Sequence, residues 1–96
     1  MKSYKDIINS FIVENDIGCI PDIRGNVWFE LEDVVKSLRL NIEDFIDKIE
    51  IVCYTLDNRS ILFISRKTMQ FLITQSRTKY SREIFRSSYY KYKWYK

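Results

Sequence analysis

Basic side chains interleaved with aromatic rings dominate the last third of this 96-residue sequence. Between residues 61 and 96 a single acid, Glu83, accompanies nine basic residues: Arg66, Lys67, Arg77, Lys79, Arg82, Arg86, Lys91, Lys93 and Lys96. Residues 1–60 carry seven basic residues against twelve acids. The net charge of +3 therefore combines a basic block of about +8 with an acidic block of about −5. A basic surface attracts a partner of opposite charge, and a polyanion such as nucleic acid fits this block.

The end of the sequence, residues 89–96, interleaves Tyr and Trp with Lys (YYKYKWYK). Three hypotheses fit this pattern. The rings can stack on nucleic-acid bases while the lysines neutralise phosphates. They can instead anchor a second copy of the chain, because Tyr and Trp are favoured at interfaces. Alternatively, Tyr92 and Tyr95 close the core and the lysines keep the surface soluble. The three roles are compatible, because opposite faces of one helix can do different things.

Catalytic and metal-binding chemistry has little support in the sequence. There is no His, no Gly-rich phosphate loop and no CxxC spacing. The acidic pairs at 32–33 and 43–44 are explained by helix N-termini, where the dipole favours anions. Cys19 and Cys53 are expected to be buried free thiols rather than a disulfide. We therefore expect a protein that is not an enzyme and that has no catalytic residues, metal or cofactor.

The first 30 residues are expected to form short strands. The density of β-branched and aromatic types over residues 7–13 predicts a strand. A helix over 5–13 is the alternative, because Ile7, Ile8, Phe11 and Ile12 also fit one helical face. Alternation over 17–23 predicts a second strand at a sheet edge, since Pro21 cannot donate a ladder hydrogen bond. A short strand over 27–29 follows the turn at 24–26.

Two short helices are predicted next, over residues 31–38 and 42–49, each with an apolar stripe. Asn41 is a suitable N-cap for the second helix. Their close spacing resembles a helix-turn-helix. However, the second helix would turn several carboxylates towards a phosphate backbone, and nucleic-acid affinity comes from basic contacts. We therefore interpret the pair as scaffold. The acids concerned are Glu43, Asp44, Asp47 and Glu50.

A β-hairpin is predicted over residues 51–64, because Asp57-Asn58 is a two-residue loop tolerant of positive φ. Arg59 beside this loop is either a phosphate-contacting tip or an ordinary surface residue. Ser65 can cap a third helix. A fourth helix is predicted from about Lys79 to the C-terminus.

The fourth helix carries the main functional prediction. At 100° per residue, Lys79, Arg82, Arg86 and Lys93 fall within about 60° of one another, with Tyr90 beside them. An apolar stripe lies on the other side and consists of Ile84, Phe85, Tyr92 and Tyr95. Arg66 and Lys67 begin the third helix, where they oppose its dipole, and such a broken local rule often marks a functional position. The candidate nucleic-acid-binding residues are Arg66, Lys67, Arg77, Lys79, Arg82, Arg86, Lys91 and Lys93 for phosphate, and Tyr90 and Trp94 for base stacking.

The order of these elements predicts an α+β fold, with small N-terminal antiparallel strands, two short helices, a β-hairpin and two further helices. The length predicts a single domain over residues 1–96. No secretory signal pattern or membrane-length apolar run is present, so we expect an intracellular protein without a membrane partner.

Residues 25–38 (GNVWFELEDVVKSL) resemble the opening of the BRO N-terminal domain, found in baculovirus repeated ORF proteins and phage antirepressors. Residues 61–65 and 72–77 are similar to that family's strand and its following helix, and residues 80–86 are similar to its closing segment. The resemblance implies a DNA-binding viral regulatory domain, located in the host cytoplasm or nucleus. It also implies that Trp28, Phe29, Val34 and Leu38 belong to the core.

DNA, either double- or single-stranded, is therefore the expected partner, contacted mainly through phosphate. The alternative is a protein-interaction module without nucleic acid. In that case the basic half binds an acidic partner, or the acidic half of another copy in a homo-oligomer.

Overall fold

The computed structural model describes residues 3–93, and the side chains of residues 3–86. Four α-helices and one antiparallel four-stranded sheet make up this part of the chain, so the fold is α+β. In chain order the elements are α1 (Tyr4–Glu14), β1 (Cys19–Pro21), β2 (Val27–Glu30), α2 (Leu31–Leu38), β3 (Val52–Leu56), β4 (Arg59–Ser65), α3 (Arg66–Gln75) and α4 (Lys79–Lys93).

The strand predicted over residues 7–13 is wrong, because this segment lies within helix α1. Ile7, Ile8 and Phe11 are buried on one face, as the alternative helical interpretation required. The Ser3 hydroxyl accepts a hydrogen bond from the Asp6 N–H at 3.2 Å and caps the first turn. Burial of this helical face overrides the strand propensity of its β-branched residues.

The sheet has the strand order β1-β2-β4-β3. The short strand containing Pro21 lies at one edge, as predicted. The hairpin β3–β4 turns at Asp57 and Asn58, which have φ of 51° and 63°. These values confirm the predicted two-residue loop, because the type I′ turn common in such hairpins has positive φ at both central residues.

The core lies between one face of the sheet and the helices. Phe29 and Ile64, paired in register across β2 and β4, contribute this inner face. Trp28 and Phe63 point to the opposite, outer face, because successive side chains of a strand alternate. The buried core comprises Ile7, Ile8, Phe11, Ile17, Phe29, Leu31, Val34, Leu38, Ile64, Met69, Leu72, Ile73, Tyr80 and Ile84. Trp28 was expected in this core, but it is half-buried on the outer face.

The helix predicted over residues 42–49 is also wrong. One turn of 3-10 helix, Ile42–Asp44, is followed by turns, so the second helix of a helix-turn-helix is not formed. Asn41 caps this turn by accepting from the Glu43 N–H at 3.2 Å. Ile and Asp are poor helix formers, and so short a segment gains little from propagation.

The two cysteines are free, as expected, but both are exposed rather than buried. Cys19 lies in β1 and Cys53 in β3, the two outer strands. Their position at the edges of the sheet, away from the central strands that meet the helices, explains the difference.

Candidate nucleic-acid interface

Helix α3 begins directly at the end of β4, where Ser65 is its N-cap. The Ser65 hydroxyl accepts from the Thr68 N–H at 3.1 Å, as predicted from the sequence. This junction fixes Arg66 and Lys67 in the first helical turn, and both are exposed. Two candidate cations therefore lie where strand and helix meet.

Arg66 has an interaction that the sequence did not reveal. Its guanidinium carbon lies 5.7 Å from the centroid of the Phe29 ring. A cation over an aromatic face is stabilised by the ring quadrupole, by about 0.5–1 kcal/mol at exposed sites. This contact offsets the unfavourable position of Arg66 at the positive end of the helix dipole.

Helix α4 separates a buried face from a basic one. Tyr80, Ser81 and Ile84 are buried, whereas Arg82 and Arg86 are exposed on the opposite side. The predicted basic stripe is thus present over the first two turns. We call Lys79, Arg82 and Arg86 the α4 basic stripe.

The apolar side of α4 differs from the prediction in one respect. Phe85 was expected to turn inward but is 56% exposed. The inward positions are taken by Tyr80 and Ser81 beside Ile84, because α1 and α3 both pack against this helix. The Ser81 hydroxyl donates to the Thr74 carbonyl at 3.4 Å, which ties α4 to the end of α3.

Lys79 is partly neutralised within the molecule. Its ammonium nitrogen lies 3.1 Å from a Glu14 carboxylate oxygen. This hydrogen bond raises the pKa of Lys79, and the nearby Tyr80 and Glu83 add to the effect. Lys79 therefore contributes less free positive charge to the stripe than Arg82 or Arg86.

Tyr80 anchors the same junction. Its hydroxyl donates to Glu14 and accepts from the Asn15 side chain at 3.1 Å. Its ring meets Phe11 edge to face, with centroids 5.2 Å apart. Burial raises the pKa of the Tyr80 phenol, and the bond to Glu14 raises it further. These contacts orient the start of α4 and therefore its exposed face.

Arg77 lies in the short connection between α3 and α4 and is exposed. The buried Ser76 beside it donates to the Ile73 carbonyl at 2.7 Å and lies 2.9 Å from the Thr78 hydroxyl. These bonds hold the connection in place. Arg77 therefore stands immediately before the α4 basic stripe.

The remaining candidates lie further along the chain. Tyr90, Lys91 and Lys93 belong to α4, but their side chains, like those of Tyr92 and Tyr95, are outside the described set. Trp94 lies outside the described residues altogether. Their assignment to phosphate contact or base stacking stays a prediction.

Within residues 3–93, no group of three or more potential metal ligands converges on one point. None of the helices in that part of the chain is both long and apolar enough to cross a bilayer.

Asp33, expected only as a helix-terminal carboxylate, accepts a hydrogen bond from the Gly18 N–H at 2.8 Å. That contact connects the start of α2 to the residue before β1.

A second carboxylate was missed by sequence reasoning. Asp22 accepts from the indole N–H of Trp28 at 3.0 Å, and from the backbone N–H groups of Arg24 and Asn26 at 2.9 Å each. The indole bond, supported by the backbone bonds, lowers the pKa of Asp22. In the sequence, this role of Asp22 was indicated only by the position of an Asp at the start of a turn that precedes a Trp.

Comparison with protein-family models, with curated proteins and with solved structures found no match to this chain.

Proposed function

We propose that this chain is a nucleic-acid-binding domain that contacts phosphate through α4 and its flanking cations. The exposure of Arg82 and Arg86 opposite the buried Tyr80, Ser81 and Ile84 carries the proposal. Arg77, Arg66 and Lys67 extend the basic surface. Guanidinium groups suit this role because their planar donors match phosphate oxygens.

Phosphate contacts position a protein on nucleic acid but read no sequence. The described cations include no side-chain constellation that matches a base-edge code. The proposed binding is therefore largely independent of sequence, with affinity dominated by counterion release. The resemblance to the BRO N-terminal domain supports the same function and suggests a viral or phage regulatory role inside the host cell.

A protein-interaction module is the second candidate. Exposed acids in the segment between α2 and β3 favour it, because Glu43, Asp44, Asp47 and Glu50 offer a surface opposite in sign to α4. A basic face of one copy meeting the acidic segment of another would produce a head-to-tail assembly.

Fluorescence anisotropy with labelled duplex and single-stranded DNA, combined with light scattering at low and high salt, separates the two candidates. Binding of DNA by a monomer is the expected result. Oligomers that dissociate in salt, without affinity for either DNA, would instead favour the interaction module.

A further inference from the structure

The outer edge of strand β3 is unpaired. The sheet order places β3 at one edge and β1 at the other. Strand β3 pairs with β4 along all five of its residues, without a bulge. Within residues 3–93 no strand lies along its other side, and no backbone hydrogen bond from a loop reaches it. One full strand edge of the described chain is therefore open.

The hairpin turn determines which backbone groups of β3 face this open side. Leu56 and Arg59 flank the two-residue turn and form a hydrogen-bonded pair. Bonded positions alternate along an antiparallel ladder, so Tyr54 also bonds β4. The N–H and C=O groups of Cys53 and Thr55 therefore point outward, away from β4. Two donors and two acceptors are thus available for a further strand.

The opposite edge of the sheet, strand β1, is protected. The Gly18 carbonyl accepts from the Glu30 N–H at 2.8 Å, and the Asn26 carbonyl accepts from the Asp22 N–H at 2.8 Å. Alternation between these bonded positions turns the backbone of Pro21 outward. Proline has no N–H, and β1 is only three residues long, two features that oppose edge pairing. Strand β3 has neither feature, and its sequence VCYTL carries no charge.

The β3 edge is complementary to itself. Two β3 strands placed antiparallel about a two-fold axis beside Tyr54 pair along all five residues of each copy. Cys53 of each copy then lies opposite Thr55 of the other, and each such pair exchanges both backbone hydrogen bonds. In the same register Tyr54 faces Tyr54 of the second copy, and Val52 faces Leu56. Any shift that keeps outward groups opposite each other pairs fewer strand residues.

The side chains beside this axis favour the same arrangement. Val52 is paired with Phe63, so Val52, Tyr54 and Leu56 lie on the outer face of the sheet. The Tyr54 ring meets the Phe63 ring edge to face, with centroids 5.6 Å apart. Leu56 is 41% exposed. A second copy continues this apolar row across the axis, and aromatic and aliphatic cross-strand pairs stabilise sheets.

We propose that β3 binds β3 of a second copy of this chain and joins the two four-stranded sheets into one. Assembly ends at the dimer, because the two remaining edges are the protected β1 strands. Two five-residue strands make a contact smaller than the roughly 1,200 Å² of stable interfaces. We therefore expect a weak dimer that is dissociated at the low protein concentrations of a DNA titration. The edge is separate from α4, so the proposal stands whichever way the DNA-binding test falls.

Sedimentation equilibrium and two-dimensional NMR of the unaltered, reduced chain over a range of concentrations test the pairing. We expect a monomer–dimer equilibrium, with concentration-dependent shifts largest at the amides of Cys53 and Thr55. The dimer should persist at about 1 M salt, because no ion pair holds it together. The head-to-tail assembly of basic and acidic surfaces should instead dissociate under these conditions.

A matched pair of double variants tests the register. Cys53 and Thr55 are both exposed, so substitution disturbs little of the core. Cys53→Lys with Thr55→Lys puts like charges directly opposite each other and should weaken association. Cys53→Glu with Thr55→Lys puts opposite charges there and should retain it, so the two dissociation constants should differ at least about tenfold.

A proline variant tests the backbone bonds. Thr55→Pro removes an outward N–H without breaking a hydrogen bond to β4. One bond is lost from each copy, so association should weaken at least about fivefold.

A monomer at the highest soluble concentration, shifts centred away from Cys53 and Thr55, or equal association of the two double variants would each overturn the proposal. Dissociation in salt would overturn it in favour of a contact between α4 and the segment that connects α2 to β3. The dilution experiment uses the unaltered chain, so it decides the question even if a variant does not fold.

Discussion

The Lys79 ammonium lies 3.1 Å from the Glu14 carboxylate, so an ion pair joins the first residue of α4 to the last residue of α1. The same carboxylate accepts the Tyr80 hydroxyl. One acid from the acidic half of the sequence thus both orients α4 and reduces its free positive charge. The proposed nucleic-acid surface consequently depends more on Arg82 and Arg86 than on Lys79.

Glu14→Gln is expected to increase DNA affinity. The amide can still accept the Tyr80 hydroxyl, while the Lys79 charge becomes available to phosphate. The slope of log affinity against log salt should steepen by up to about one, the value for one added phosphate contact. Anisotropy titrations at several salt concentrations measure this change. Weaker binding by a fully folded Glu14→Gln protein would contradict it.

Tyr80→Phe is expected to destabilise the fold by about 1 kcal/mol, because it removes the hydrogen bonds to Glu14 and Asn15 but keeps the ring packed on Phe11. Tyr80→Ala should cost about 3–5 kcal/mol, since it also removes a buried ring. Urea unfolding followed by circular dichroism gives both values. Equal losses in the two variants would show that the hydroxyl, not the ring, holds α4.

Trp28 fluorescence is expected to report the ionisation of Asp22. The hydrogen bond from the Trp28 indole lowers the pKa of Asp22, so the midpoint of the fluorescence change with pH should fall below the usual pKa of 3.8. Because the folded pKa is depressed, the carboxylate's contribution to stability is present above pH 3.8 and is lost as pH falls through the folded pKa. A Trp94→Phe background isolates Trp28, and Asp22→Asn should abolish the transition. A midpoint at or above 3.8 would contradict the assignment.

Glu30→Gln is expected to stabilise the protein at neutral pH. Burial raises the Glu30 pKa above 4.5, and the Asp33 and Glu32 carboxylates add to this, while Arg59 opposes it. The native state therefore holds the proton more tightly, and ionisation destabilises the fold as pH rises through the folded pKa. Urea unfolding should show the variant's advantage growing between about pH 4 and pH 7. If the extra stability of Glu30→Gln shrinks between these pH values, the raised pKa of Glu30 is contradicted.

Local signals in the sequence predicted several elements well. Asp57-Asn58 predicted a hairpin, Ser65 predicted a helix start, and Pro21 predicted an edge strand, because each depends on nearby backbone geometry. The α+β class followed from their order. The strand predicted over residues 7–13 was wrong, since short apolar runs fit strand and helix alike until tertiary packing selects one. The helix predicted over residues 42–49 was wrong because so short a segment gains little from helix propagation.

The candidate site was predictable only in part. Helical periodicity alone placed Arg82 and Arg86 on one exposed face. It could not reveal the pairing of Lys79 with Glu14, because the two residues are far apart in the sequence.

The salt dependence of DNA affinity for an Arg82→Glu, Arg86→Glu protein tests the central claim most directly. The control is Arg24→Glu with Lys48→Glu, which makes the same charge change at two exposed residues outside the proposed surface. We predict that the first variant flattens the log–log salt slope by roughly two, the value for two lost phosphate contacts, and that the control leaves it nearly unchanged. Equal slopes for the unaltered chain and the Arg82, Arg86 variant, or the same flattening in both variants, would contradict the assignment of α4 as the nucleic-acid surface.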